Sequence, residues 1–209
     1  TTKFAAAAII LLAVFLSLTV FDQSVAGAYT LEQTLKAFQN IRYLHVVRYD
    51  PSGSIEDERW IEINPDGSQG RYRQDTAGKL LVVDNGQTRF VFVREKNTVL
   101  LYGMDSEGYT WIYNVHDFFR DMAGDNSVVI EENADFNGKP AHRVRWHKLN
   151  VECYIDPATR LPIAIGRDEI LYDTPPADIF SIPDPPATAS VYDKRPGAEP
   201  SEEPAWLKD

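Results

Sequence analysis

The strongest constraint on this chain is an uncharged apolar run from Phe4 to Phe21, preceded by a single charged residue, Lys3. The run is close to the roughly 20 residues that a helix needs to cross the hydrocarbon core of a bilayer. It has no polar face, which argues against a buried helix of a soluble core. We therefore predict an N-terminal hydrophobic helix within residues 1–28, with an acidic folded domain beyond it on the outer side of the membrane.

The end of this segment leaves two fates open. Ala26-Gly27-Ala28 matches the small-residue pattern that signal peptidase accepts, and cleavage after Ala28 would release a soluble protein. The apolar run is longer than the usual core of a signal peptide, however, and the polar stretch from Asp22 to Ser24 resembles the exit of a retained helix. A retained helix that anchors the domain to the membrane is the preferred interpretation.

Charge and cysteine content exclude several classes of function. The formal net charge of −10 should repel phosphate backbones, so nucleic acid is not an expected partner. Cys153 is the only cysteine, so the chain can form neither an internal disulfide nor a paired-cysteine zinc or redox motif. Because Cys153 alternates with Val151 and Ile155, we expect it to be buried and inert.

Most of residues 42–172 consists of short segments in which apolar and polar residues alternate, separated by turn residues. This period of two is typical of β-strands. The predicted strands are Arg42–Tyr49, Arg59–Asn64, Arg71–Gln74, Leu80–Val83, Thr88–Val93, Thr98–Tyr102, Tyr109–Tyr113, Val128–Glu131, Ala141–Lys148, Val151–Ile155, Ile163–Ile165 and Glu169–Tyr172. Between the fourth and the fifth, Asn85-Gly86 should form a tight hairpin turn with positive φ angles.

Two segments have helical periodicity instead. Thr30 and Gln33 have the form of a capping box, and a short helix should follow as far as about Asn40. The second helix, closed by Gly124, carries its apolar residues on one face: Val115, Phe118, Phe119 and Met122. The order of helix, strands, helix and more strands predicts an α+β fold, in which helices cover one face of a large antiparallel sheet.

The composition changes after Asp173, where prolines become frequent and rule out a helix or a central strand. Phe180 and Ile182 are expected to pack on the edge of the domain. We predict a β-rich domain over residues 29–186 and an acidic, Pro-rich tail over residues 187–209.

The motifs of residues 29–186 resemble those of the LolA-like superfamily of periplasmic lipoprotein carriers, and of its relative RseB, an envelope stress sensor. The likeness rests on the order and spacing of the opening helix and four later segments: WIEINPDGSQGRYR from Trp60 to Arg73, the strands and turns from Leu80 to Tyr102, Tyr154 through Pro162, and DIFSIP from Asp178 to Pro183. It implies a strongly curved antiparallel sheet, an incomplete barrel whose concave side is closed by helices over an apolar cavity that binds acyl chains.

The resemblance implies a non-enzymatic domain, anchored in the inner membrane and facing the periplasm, that binds a lipid, a lipoprotein segment or another apolar ligand. The alternative is a protein-interaction or sensor module that acts with a membrane partner, such as an anti-sigma factor. An anchored protein cannot shuttle between membranes as the soluble carriers do. The carriers also have an arginine that holds their empty state closed, and no arginine of this sequence is assigned to that role.

Large apolar side chains are the candidates for lining such a cavity, although aromatic residues at this spacing most often belong to an ordinary core. The candidates are Trp60, Phe90, Phe92, Trp111, Phe118, Phe119, Met122 and Trp146.

The sequence offers no catalytic residues, no metal site and no cofactor site. It has no G-x-S-x-G nucleophile motif. On a regular strand His142 and His147 would point to opposite faces, so they are interpreted as surface or edge histidines beside a buried Cys153. The acidic clusters Glu56-Asp57-Glu58 and Glu131-Glu132 lack the ligand spacing of a calcium loop and are interpreted as solvated loops.

Overall fold

The computed structural model describes residues 29–103 and 115–199 together with Trp206, apart from the side chains of Val115 and His116. All the elements given below belong to the second of the chain's two compact units, Leu31–Asp209. The predicted hydrophobic helix of residues 1–28 and the predicted strand Tyr109–Tyr113 lie outside the described residues. Within the described part, no helix is long and apolar enough to span a membrane.

Two α-helices occur where helical periodicity predicts them. Helix α1 spans Leu31–Phe38 and buries Leu31, Thr34 and Phe38. Helix α2 spans Val115–Ala123 and ends before Gly124, whose N–H donates to the carbonyl of Arg120 at 3.1 Å. Isolated helices this short are marginal in water, so both depend on the packing of their apolar faces.

The strands form one sheet that is not closed on itself. In chain order they are β1 Tyr43–Tyr49, β2 Ile55–Ile63, β3 Gln69–Thr76, β4 Leu80–Asp84, β5 Thr88–Val93, β6 Thr98–Gly103, β7 Val128–Phe136, β8 Lys139–Trp146, β9 Val151–Ile155, β10 Pro162–Ile165, β11 Asp168–Leu171 and β12 Ser190–Lys194. Their spatial order is β12-β6-β5-β4-β3-β2-β1-β11-β10-β9-β8-β7. Every pairing is antiparallel except that of β12 with β6. The predicted α+β fold with a large antiparallel sheet is confirmed.

One face of β4, β5 and β6 is apolar. Its buried centre is formed by Val83, Phe90 and Val99. Partly buried apolar residues surround this centre, two of them from the C-terminal segment: Leu81, Phe92, Leu101, Ile182 and Ala189. We call these eight residues the β4–β6 cluster.

On the side of the sheet away from the β4–β6 cluster, strands β2 and β3 have a polar face. Its centre is Asp57, with 4% exposure. The carboxylate accepts hydrogen bonds from Thr76 Oγ1 at 2.5 Å and Gln74 Nε2 at 2.8 Å, and it pairs with Arg59. Burial raises the pKa of Asp57, but these donors outweigh burial and hold it below its usual range. The interpretation of Glu56-Asp57-Glu58 as a solvated loop is therefore wrong. The three acidic residues belong to β2, where alternation turns Asp57 toward its donors.

The second acidic cluster, Glu131-Glu132, lies on a strand and not in a loop as interpreted. Glu131 and Glu132 lie within strand β7, and both are exposed. They are solvated as expected, but on a strand that runs farther than the predicted segment.

The C-terminal segment contains a strand that periodicity did not predict. Residues 187–209 were predicted as a tail, yet Ser190–Lys194 forms β12 at one edge of the sheet. Asn97 supports its start, because its side-chain amide donates to the carbonyl of Thr188 at 2.7 Å and its own carbonyl accepts from Ser190 N at 3.0 Å. Proline excludes central strands, but an edge strand between prolines remains allowed.

The hairpin between β4 and β5 turns at the predicted residues, but Asn85 does not have the positive φ angle that was predicted for it. Gly86 has a φ of +85°, whereas Asn85 is not among the residues with positive φ. Asn85 Oδ1 instead accepts the N–H groups of Gln87 at 2.9 Å and Thr88 at 2.8 Å. The asparagine side chain thus organises the turn and the glycine supplies its left-handed residue.

Candidate functional site

The face of β8 and β9 that contacts α2 is almost completely buried. Trp146 is 4% exposed, and Val144, Cys153 and Ile155 are all fully buried. The register pairs Val144 with Cys153 and His142 with Ile155, which puts these side chains on one face. The burial of Cys153 is thereby confirmed, and it raises the pKa of the thiol to about 12.

The other face of β8 and β9 is polar. Arg143 and Glu131 form an ion pair, and Arg145 Nε lies 3.2 Å from Glu152 Oε2. The Tyr154 hydroxyl donates to Glu152 Oε1 at 2.6 Å. Alternation therefore sorts apolar side chains to the helix side of these strands and paired charges to the opposite side.

Aromatic rings connect the two helices to each other and to β8. The ring centroids of Phe38 on α1 and Phe119 on α2 are 5.3 Å apart. Phe119 also contacts Phe118 edge to face at 5.1 Å, and Phe118 contacts Trp146 at 5.7 Å. Distances in this range are favourable for aromatic pairs.

We call α1, α2 and the buried face of β8 and β9 the helix-packed region. Phe119 and Met122 are fully buried in it, whereas Phe118 is half-buried at its margin. Unlike hydrogen bonds, the ring contacts of the helix-packed region do not require a donor or acceptor atom in a fixed direction.

Polar contacts also reach the helix-packed region, from the turn between β9 and β10. Arg160 lies in this turn with a φ of 62°, and its carbonyl accepts a hydrogen bond from Thr34 Oγ1 of α1 at 2.8 Å. Its guanidinium Nη1 lies 2.8 Å from His142 Nε2. Burial and the adjacent Arg160 charge lower the pKa of His142, although Glu132 acts in the opposite direction.

The interpretation of His142 as a surface or edge histidine is wrong, because it is only 5% exposed. It alternates with Val144 on the buried face, and its neighbour in the histidine pair, His147, lies beyond the end of β8 and is exposed. The sequence patterns indicate neither Arg160 nor Thr34. The Asp-Pro and Leu-Pro signals that frame the β9–β10 turn could have drawn attention to Arg160.

The structure separates the predicted cavity residues. It brings Phe118, Phe119, Met122 and Trp146 into the helix-packed region, and it places Phe90 and Phe92 in the β4–β6 cluster. Trp60 joins neither set. Its indole stacks on the His45 imidazole with 3.9 Å between centroids and 9° between planes. Trp111 lies outside the described residues.

His45 is held between two carboxylates. Its Nε2 lies 2.8 Å from Glu58 Oε1, and its Nδ1 lies 3.4 Å from Asp173 Oδ2. In the described ranges, no three histidine, cysteine, aspartate or glutamate side chains are grouped so that they could hold a metal ion.

No protein-family model matches the chain, and no curated protein matches it. A solved structure with some likeness is that of an uncharacterised conserved protein from Thermus thermophilus. The two are 11% identical, the match covers 78% of this chain and 96% of that one, and the TM-score is 0.42.

Proposed function

We propose that this protein is an envelope-anchored, non-enzymatic domain that binds a lipid, a lipoprotein segment or another apolar ligand in the helix-packed region. The N-terminal apolar run supports the anchor, and the resemblance of residues 29–186 to LolA-like and RseB-like domains supports the type of ligand. In this proposal the open sheet is strongly curved, as an incomplete barrel, and the helices close its concave side.

The observation that carries the proposal is the series of ring contacts from Phe38 through Phe119 and Phe118 to Trp146. Separating these rings exposes apolar surface, which an acyl chain covers again at about 25 cal/mol for each Å² removed from water. Because these rings are not hydrogen-bonded to one another, α2 can move away from β8 without breaking a hydrogen bond between them. In this proposal α2 is the lid of the site. The half-buried Phe118 marks the side on which a ligand enters.

Photo-crosslinking tests this proposal on the full chain in lipid nanodiscs. A fatty acid with a diazirine on its chain is added and activated, and the modified peptides are identified by mass spectrometry. We expect adducts in α2 and β8, near Phe118 and Trp146. Adducts confined to the N-terminal apolar run would show that the probe reached only the bilayer around the chain and would contradict the proposal.

A matched pair of variants sharpens this experiment. Phe118 and Phe92 are both half-buried phenylalanines, one in the helix-packed region and one in the β4–β6 cluster. Phe118→Ala should lower the yield of adducts in β8 several-fold, while Phe92→Ala should leave it unchanged. Equal losses in both variants would point to a general effect on folding and remove the assignment of the site.

A second candidate function, a module that interacts with a membrane protein, is favoured by the surface of β7. This strand lies at the edge of the sheet, and its apolar residues Val129 and Ile130 are 48% and 36% exposed. Exposed apolar residues on a sheet edge favour pairing with another chain. A photoreactive amino acid at Val129 should then give an adduct with a membrane protein in cells. The control position is Tyr49, which is 41% exposed on β1 and should give none.

A further inference from the structure

Arg73, in the middle of β3, is half-buried, and no carboxylate or other acceptor among the described residues contacts it. Arg167 also has no partner in this part of the chain, but it lies exposed in the turn between β10 and β11. The other arginines of the described ranges all have a partner: Arg42, Arg48, Arg59, Arg71, Arg89, Arg94, Arg120, Arg143, Arg145, Arg160 and Arg195. Arg73 is therefore the described arginine that combines partial burial with an unmatched charge.

The residues directly beside Arg73 in the sheet are uncharged. Its register partners are Trp60 on β2 and Val83 on β4, which are 7% and 0% exposed. Residues paired in this way share one face of the sheet. A guanidinium stays charged and offers five N–H donors, so partial burial between apolar side chains removes solvating water without supplying acceptors.

Two carboxylates near Arg73 on the same face are engaged by other side chains. Asp75 Oδ1 lies 2.8 Å from Nη1 of Arg94, and Glu58 Oε1 lies 2.8 Å from Nε2 of His45. Asp75 and Glu58 are register partners of each other, one pair along from Arg73. Neither carboxylate therefore supplies the counter-charge of Arg73.

The third carboxylate near Arg73, that of Glu62, is shared by two arginines. Its Oε1 lies 2.9 Å from Nη2 of Arg42, and its Oε2 lies 2.7 Å from Nε of Arg71. Arg71 also has its guanidinium over the ring of Phe180, with Cζ 4.8 Å from the ring centroid. Two guanidiniums on one carboxylate leave one positive charge uncompensated, and Arg73 adds a second on the same face of β3.

We propose that Arg73 is the centre of a binding site for an oxyanion, the carboxylate or phosphate group of a ligand, which supplies the counter-charge that the fold does not. The planar fork of a guanidinium donates two parallel hydrogen bonds to such a group. The charge surplus around Glu62 attracts the anion to β3. This site is formed by β2, β3 and β4, so it does not rest on the apolar ligand proposed for α2 and β8.

Isothermal titration calorimetry of the full chain in nanodiscs of zwitterionic lipid tests this site, with empty nanodiscs as the blank. Octanoate, acetate and inorganic phosphate are titrated separately at low ionic strength, because salt screens partly exposed charges. Similar affinity for all three probes would support the site and identify a free oxyanion as its ligand. A clear preference for octanoate that depends on Arg73 would support it and identify the headgroup of an amphiphile.

Four variants assign the binding. Arg73→Gln should weaken it about tenfold or more, because hydrogen bonds to a charged group are lost. Arg167→Gln removes the same charge from an exposed turn and should leave the affinity unchanged. Arg73→Lys keeps the charge but loses the fork, so its affinity should be intermediate. Phe118→Ala should not alter phosphate binding, which separates this site from the helix-packed region.

Thermal unfolding without any probe tests whether Arg73 is unpaired. Arg73→Gln should keep or raise the melting temperature, because it removes a charge that has no acceptor among the described residues. Arg94→Gln is the contrasting variant and should lower it, since the Arg94 guanidinium binds Asp75 and the carbonyls of Thr76 and Leu80.

Three results would overturn the site. The first is the absence of binding by all three probes in the wild type. The second is equal affinity in the wild type and Arg73→Gln, and Arg73→Lys provides the same comparison if Arg73→Gln does not fold. The third is a lower melting temperature for Arg73→Gln, which would show that Arg73 already has a stabilising partner within the chain.

Discussion

The helix-packed region and the β4–β6 cluster are both buried apolar parts of one sheet, but different kinds of contact hold them. The β4–β6 cluster joins paired strands to an irregular segment that ends in β12, itself hydrogen-bonded to β6. In the helix-packed region, aromatic rings connect two helices of eight and nine residues. Separating α2 from β8 leaves the sheet pairing intact, whereas opening the β4–β6 cluster disturbs it. We infer that the first region can open locally and the second cannot.

The largest effect should come from truncating the β4–β6 cluster. Phe90 is 1% exposed between Val83 and Val99, so Phe90→Ala should lower the free energy of unfolding by about 3–5 kcal/mol. Urea denaturation of the full chain measures this loss. A loss below about 1 kcal/mol would show that the cluster is loosely packed and would contradict the inferred difference between the two regions.

A smaller effect should come from overpacking the contact between β6 and the C-terminal segment. A Cβ added to Gly103 would lie 2.6 Å from Cδ of Pro196, so one of the two backbones must shift. Gly103→Ala should cost about 1–3 kcal/mol and speed hydrogen exchange in β12. Gly124→Ala is the matched control, because its new Cβ meets its nearest neighbour at an ordinary 3.7 Å. Equal stability of the two variants would mean that the segment does not pack against β6.

The smallest effect should come from the β4–β5 turn. Gly86 has a φ of +85°, which a β-branched residue rarely adopts, so Gly86→Val should cost about 1 kcal/mol or more. Gly86→Asn should cost less, because asparagine tolerates positive φ better than valine. Thermal unfolding measures both, and an unchanged melting temperature for Gly86→Val would show that the turn lies elsewhere.

The two regions also differ in how far sequence alone predicts them. Periodicity is a local property. The bounds predicted for α2 and for strands such as Thr88–Val93 and Val151–Ile155 are therefore the same as those in the structure, or close to them. Periodicity does not predict which elements meet. The contact of Phe118 with Trp146, and the separation of both from Phe90, depend on the spatial order of the sheet.

Other features escaped prediction because local signals pointed elsewhere. Strand β12 lies between prolines and pairs with a strand far away in sequence, so neither composition nor alternation indicates it. Asp57 belongs to a run of acidic residues that is typical of a loop, and its burial is explained by its donors on β3 together with Arg59. The Arg160 contacts join residues that are 18 and 126 positions apart.

Native-state hydrogen exchange tests the central claim most directly, because it compares local opening of the helix-packed region with that of the β4–β6 cluster in one sample. In the full chain in nanodiscs, the amides of α2 should exchange through local opening, at least about tenfold faster than those of β5, which should require global unfolding. Adding oleate should slow exchange in α2 and leave β5 unchanged. Equal protection of α2 and β5, with no response of either to oleate, would contradict the account.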